Sequence, residues 1–161
     1  MKVVGIDLAG KPENPTGFCV LEADGEIKTE IKILKEDSEI IKAVEEAKPD
    51  CVAIDAPFWT PQTGFWRRSE ELLMKRGFKP VSSKLPSMQV LAFRAKGIVQ
   101  ILREKGFRVI EVSASATEKI LQASREPKSN EHEYEALLCA LTAKFYIDRK
   151  FEDLEGIIIP R

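Results

Sequence analysis

The sequence predicts an α/β fold in which a mixed five-stranded sheet, three antiparallel strands followed by parallel ones, lies between layers of helices. Three observations carry that expectation. Three β-patterned segments follow one another across short turns at the N-terminus. Helical and extended patterns then alternate, the signature of a sheet covered by helices. The 161 residues contain no repeat, low-complexity tract or linker, so they are read as one domain over residues 1–161.

Lys2 to Leu8 is apolar and β-branched, a buried strand. Gly10, Pro12, Asn14 and Pro15 turn the chain into a second strand from Thr16 to Glu22. Ala23-Asp24-Gly25 forms a tight hairpin signal, and Glu26 to Leu34 alternates Ile27, Thr29, Ile31 and Ile33 against charges, a half-exposed third strand. Asp37 or Ser38 caps a helix to about Lys48, with Ile40, Ile41 and Val44 on its apolar face. Cys51 to Ala56 is a short buried strand stopped by Pro57. The irregular stretch Phe58 to Pro86 holds a short helix over Arg67 to Arg76. A longer helix runs from Ser87 to Lys105 and ends at Gly106. Phe107 to Val112 gives the fifth strand, Ser113 to Ala123 a short helix, and Glu131 to Arg149 the last long helix. The tail "GIIIP" reads as an added edge strand or a segment packed on a neighbour.

The composition narrows the function classes. A hydrophobic fraction of 43% with 32% charged residues is that of a soluble globular protein. The net charge of -1 excludes a global basic field, so nucleic acid would have to bind through a local patch or through metal ions. Cys19, Cys51 and Cys139 are far apart, odd in number and set among apolar residues. They fit small core hydrophobes in a reducing cytoplasm, not a zinc site or a disulfide framework. No signal peptide pattern and no membrane-length apolar run is present, so a cytoplasmic protein without membrane partners is expected.

Two residues break the apolar pattern: Asp7 in "GIDLAG" and Asp55 in "AIDAPF", each near the end of a buried strand. A buried strand has no cheap place for a charge, except at an end that reaches solvent or a ligand. If the two strands lie side by side, their carboxylates converge and repel unless a proton or cation offsets them. Hard divalent cations favour such oxygen ligands. Each Asp alone is equally well explained as an Asx turn at a strand end. A third acidic source is "NEHEYEALLCALTAKFY", where Glu135 stands at the start of the apolar stripe of the last helix. Glu131 and Glu133 fit first-turn acids that favour the helix dipole. His132, the only histidine, fits an exposed residue, a supporting group or a proton shuttle.

With these residues the chain resembles the RNase H-like superfamily. More narrowly, it resembles a microbial family of uncharacterised proteins described as predicted nucleases with that fold. The resemblance spans nearly the whole chain through "GIDLAG" with "TG" on the next strand, "AIDAPF", "WRRSEELLMKRG", "IEVSAS" and "EHEYEALLCALTA". It implies a three-layer fold and a nuclease that uses Mg²⁺ or Mn²⁺ to hydrolyse phosphodiester bonds. Asp7, Asp55 and Glu135 would be its catalytic metal ligands, with Glu133 a neighbouring candidate and His132 and Glu111 auxiliary. The last motif usually reads H-E-x-D-A, and here Glu135 stands where Asp is common. Small Ala9 and Gly10 would let a phosphate approach the first hairpin. Single-stranded DNA or RNA is the expected partner, held on a surface that includes Trp66, Arg67, Arg68, Arg76 and Lys84. The same segment reads otherwise as an amphipathic helix with solvated arginines and core aromatics. A nucleic-acid-binding protein without efficient catalysis fits the fold too, as does an actin- or sugar-kinase-like ATPase, which would need a homodimer.

Overall fold

The computed structural model describes residues 1–161. Strands β1 (Lys2–Asp7), β2 (Thr16–Asp24) and β3 (Glu26–Leu34) form the antiparallel meander. Helix α1 (Asp37–Ala47) then crosses to β4 (Cys51–Asp55), which pairs parallel to β1. Helices α2 (Arg68–Lys75) and α3 (Pro86–Glu104) lead to β5 (Val109–Val112), parallel to β4. Helices α4 (Ala114–Leu121) and α5 (Glu131–Ile147) precede a terminal hairpin, β6 (Phe151–Leu154) and β7 (Ile157–Pro160). The sheet order is β3-β2-β1-β4-β5-β7-β6.

Strand alternation divides the core into two layers. Val4, Ile6, Val52 and Ile54 pack with Ile40 and Val44 of α1 and Ile98 and Leu102 of α3. Val3, Cys19, Cys51 and Ala53 pack on the other face with Leu138, Cys139 and Ala140 of α5. The three cysteines are free and buried, as their apolar contexts predict.

The sheet has seven strands, not five. "GIIIP" is an inner strand: all four residues of β7 are buried, parallel to β5 on one side and covered by β6 on the other. The edge belongs to β6, whose sequence "FEDL" is too short and too charged to announce a strand by periodicity. The hairpin closes through Glu155 (φ 52°) and Gly156 (φ 128°), in the left-handed region that tight turns use.

The loop after β1 is fastened from behind. Arg94 on α3, almost fully buried, donates from Nη1 to the Ala9 carbonyl (2.7 Å) and from Nη2 to the Lys35 carbonyl (2.6 Å). Its Nε bonds Asp37 Oδ1 at 2.7 Å. The Ala9 N–H donates to Thr16 Oγ1 at 3.0 Å, closing the turn onto β2. Ala9 and Gly10 are therefore part of a pinned turn packed towards α3, rather than an open berth for a phosphate.

Candidate metal centre

Asp7 and Asp55 are the last residues of adjacent parallel strands and lie directly in register. Alternation places Asp7 on the face of Val3 and Gly5, and Asp55 on the face of Cys51 and Ala53, both towards α5. The helix reaches them because two glycines let it sit directly on the sheet. A Cβ at Gly5 would fall 2.2 Å from the Ala136 carbonyl oxygen and from the Ala140 backbone nitrogen. A Cβ at Gly17, the residue paired with Asp7, would fall 2.0 Å from the His132 carbonyl oxygen. Both obstacles are backbone, which cannot rotate aside. Asn130 sets where the helix starts, its side-chain oxygen accepting from the N–H groups of His132 (2.9 Å) and Glu133 (3.1 Å).

That seating brings the first turns of α5 over the strand ends. His132 Nδ1 lies 3.0 Å from Asp7 Oδ2. Ligand atoms of Asp7, His132 and Glu135 all fall within 4.8 Å of one another. Asp55 stands beside this trio, its Oδ2 accepting from the Ala114 N–H at 3.2 Å. The Asp7 carboxyl is pushed up to about 9, first by burial and then by the negative charges of Glu135, Asp55 and Glu131. Burial pushes Asp55 up to about 7, with Glu135 and Glu111 adding to it and the Ala114 N–H opposing. The Cys139 thiol beneath them is raised well above its usual value by burial and by the same acids.

No lysine or arginine offsets these charges: the one ion-pair partner of Asp7 is His132, and Asp55 has none. A divalent cation would. The donors fit one, being carboxylate oxygens with a single imidazole, the kind of set that suits Mg²⁺ or Mn²⁺ more than a thiolate-seeking metal. Asp7, Glu135 and His132 would hold it, with Asp55 adjacent.

The remaining expected site residues fall elsewhere. Glu133 is about 200° around the helix from Glu135 and so faces away from the trio. Glu111 is not a metal ligand candidate. It follows the alternation of Val109, on the α3 side of the sheet, and is occupied there: Arg67 Nη1 and Nη2 grip its two oxygens at 2.9 and 2.6 Å. The Phe58 N–H adds a 3.0 Å bond. Arg67 is 3% exposed and its Nε bonds Glu70 Oε2 at 2.9 Å, so it staples the irregular segment to β5 and does not face a nucleic acid. Arg68 and Arg76 are exposed but pair with Glu155 (3.2 Å) and Glu152 on the edge hairpin. Trp66 is half-buried, edge-on to Phe65 at 5.0 Å, and Lys84 Nζ reaches the Gln62 carbonyl at 3.4 Å.

Sequence reasoning brought Asp7, Asp55 and Glu135 together, and the structure adds His132 at direct contact. It missed Gly5 and Gly17. The available signal was glycine inside a strand, which often marks the close approach of another backbone.

Two solved structures share this fold. Thermus thermophilus RuvC in complex with a Holliday junction substrate is similar at TM-score 0.58 and 17% identity, over 92% of this chain and 96% of that one. A second Thermus thermophilus RuvC structure is similar at TM-score 0.54 and 18% identity, with the same coverage. At such identity the likeness is one of fold, and it places the chain among RNase H-like architectures. No curated protein matches the sequence. A family match does: residues 5–111, from within β1 through Glu111 on β5, carry it, and the chain belongs to the family described as "Protein of unknown function (DUF429)".

Proposed function

We propose that the protein is a divalent-metal-dependent nuclease that hydrolyses phosphodiester bonds of DNA or RNA. One observation carries the reading: the acids at the ends of β1 and β4 and on the first turns of α5 converge with no lysine or arginine to balance them. The fold likeness to RuvC, whose structure includes a Holliday junction substrate, supports a nucleic-acid substrate.

In this reading Asp7, Glu135 and His132, with Asp55 adjacent, would hold Mg²⁺ or Mn²⁺. When bound, the cation supplies Lewis-acid polarisation of the phosphate and a more acidic water. The chain's own groups do the positioning. The Ala114 N–H fixes the orientation of Asp55, and His132 fixes that of Asp7. His132 is half-exposed where it meets Asp7, so one side of its ring faces solvent.

Labelled single- and double-stranded DNA and RNA, incubated with the protein and Mg²⁺ or Mn²⁺, test this. The wild type cleaves at least one of them. Supporting groups around a metal already cost about 10–100-fold when changed, so Asp7→Asn with Asp55→Asn lowers the rate by more than about 100-fold. Equal cleavage by wild type and double mutant overturns the assignment.

A further inference from the structure

A cleft of about 270 Å³ extends away from the carboxylates. Asp55 and Glu135 form one end of it. From there it runs between the segment after β4, the stretch after α2 and the start of α4. Pro57, Leu73, Met88 and Ile157 give it an apolar side, with Val81 at an exposed rim. Ser113 and Ser115 bring hydroxyls 3.3 Å apart to the same space.

The charges of the lining say what can enter. Four acids, Asp55, Glu70, Glu111 and Glu135, outnumber two bases, Arg67 and Lys79. Arg67 is already spent on Glu70 and Glu111. A phosphate would meet net negative charge and no free guanidinium. A flat, neutral group with hydrogen-bonding edges meets apolar walls and two hydroxyls, the usual make-up of a small-ligand site.

We propose that this cleft receives a single unpaired nucleobase next to the phosphate held at the Asp7–Asp55–Glu135 centre. The proposal rests on the nuclease reading and deepens it. The substrate is then a nucleotide out of its stack, either in a single strand or extruded from a duplex. A cleft of about 270 Å³ has room for a single base but not for a base pair, so a paired base must leave its stack to enter. Unpaired positions are therefore the preferred cleavage sites.

The test uses DNA oligonucleotides, single-stranded and duplex, carrying 2-aminopurine at one position in turn, with Ca²⁺ in place of Mg²⁺. The cleft contains no aromatic wall, so a base entering it is unstacked and its fluorescence rises severalfold. Ser115→Leu and, separately, Val81→Met add bulk at exposed positions of the lining and abolish the rise. In Mg²⁺ they raise KM for single strands more than they lower kcat. A fluorescence rise unchanged in both variants overturns the cleft as the base site. Cleavage without any rise overturns the cleft and leaves the nuclease reading intact. A rise lost in the variants, with no cleavage by the wild type under Mg²⁺ or Mn²⁺, sinks the nuclease reading and supports the cleft as a base-binding site.

Discussion

Two clusters of acids lie near the ends of neighbouring strands, and they have opposite characters. Glu111, with Glu70, surrounds its own cation: Arg67 is buried between them, and backbone N–H groups of Phe58 and Ser83 complete the shell. Burial raises Glu111, but Arg67 pulls it back by both hydrogen bonding and charge. Asp7 and Asp55, on the other face, have no such partner, and the acids around them push them further up. The chain thus supplies an arginine counter-charge at the staple and none at the acids that end β1 and β4. Acidity and burial alone would not separate the two; the presence of a dedicated arginine does.

The sharpest way to break this comparison is to remove that arginine. Arg67→Met leaves two buried carboxylates without a counter-charge, and breaking a buried pair in this way costs about 3–5 kcal/mol. Denaturant melts read it directly. A change under about 1 kcal/mol would mean that Glu111 and Glu70 tolerate burial uncompensated, and the contrast between the clusters would collapse.

The glycines come next. Gly5→Ala and Gly17→Ala each drive a methyl into helix backbone, and overpacking of this kind costs about 1–3 kcal/mol or somewhat more. Because α5 must lift, Mn²⁺ affinity falls with stability, measurable by calorimetric titration. Full stability and unchanged Mn²⁺ affinity in Gly17→Ala would show that the helix is not seated as described.

The acids without a partner give a pH signature. Between the unperturbed value of 3.8 and about 9, folded Asp7 retains a proton that the unfolded chain has lost. Asp55 does the same between 3.8 and about 7. The unfolded state then binds fewer protons, so metal-free stability falls as pH rises through this window. Asp7→Asn removes part of that slope and stabilises the metal-free protein at pH 7 by roughly 1–3 kcal/mol. Mn²⁺ at 100 times its dissociation constant adds about 2.7 kcal/mol, a rise of about 5–10 °C in Tm for a chain of this size. The metal's effect is larger at pH 8 than at pH 5, where protons compete. A thermal shift independent of pH would contradict protonated acids at the centre.

The smallest effects belong to the edge hairpin. Arg68→Ala and Arg76→Ala remove exposed ion pairs and leave Tm nearly unchanged. If these arginines lie outside the substrate path, filter-binding affinity for single-stranded DNA is unchanged as well. A weakened affinity that flattens with salt would place that edge on the path.

Most of the fold was legible because its strands and helices carry strong periods. The meander, α1, α3 and α5 start and stop within a few residues of the sequence expectation. The terminal hairpin was not, since "FEDL" offers four residues with charges at its centre and only β7 shows a burial pattern. At the site, Asp7 and Asp55 were readable as charges in apolar strands, and Glu135 by its place on the apolar stripe. Arg67 misled because a charged residue in a basic segment resembles a surface. Only three-dimensional proximity reveals that its partner is Glu111, 44 residues away. Glu133 misled because an acid-rich helical turn carries more carboxylates than one face can use.

The seating of α5 on Gly5 and Gly17 has a wider consequence. At these two positions helix backbone lies on strand backbone, and that contact sets the spacing between the strand acids and the helix acids. A cation arriving here would find the atoms of Asp7, His132 and Glu135 already within a few tenths of a nanometre of one another. Two positions that carry no side chain hold the tolerance of the whole arrangement.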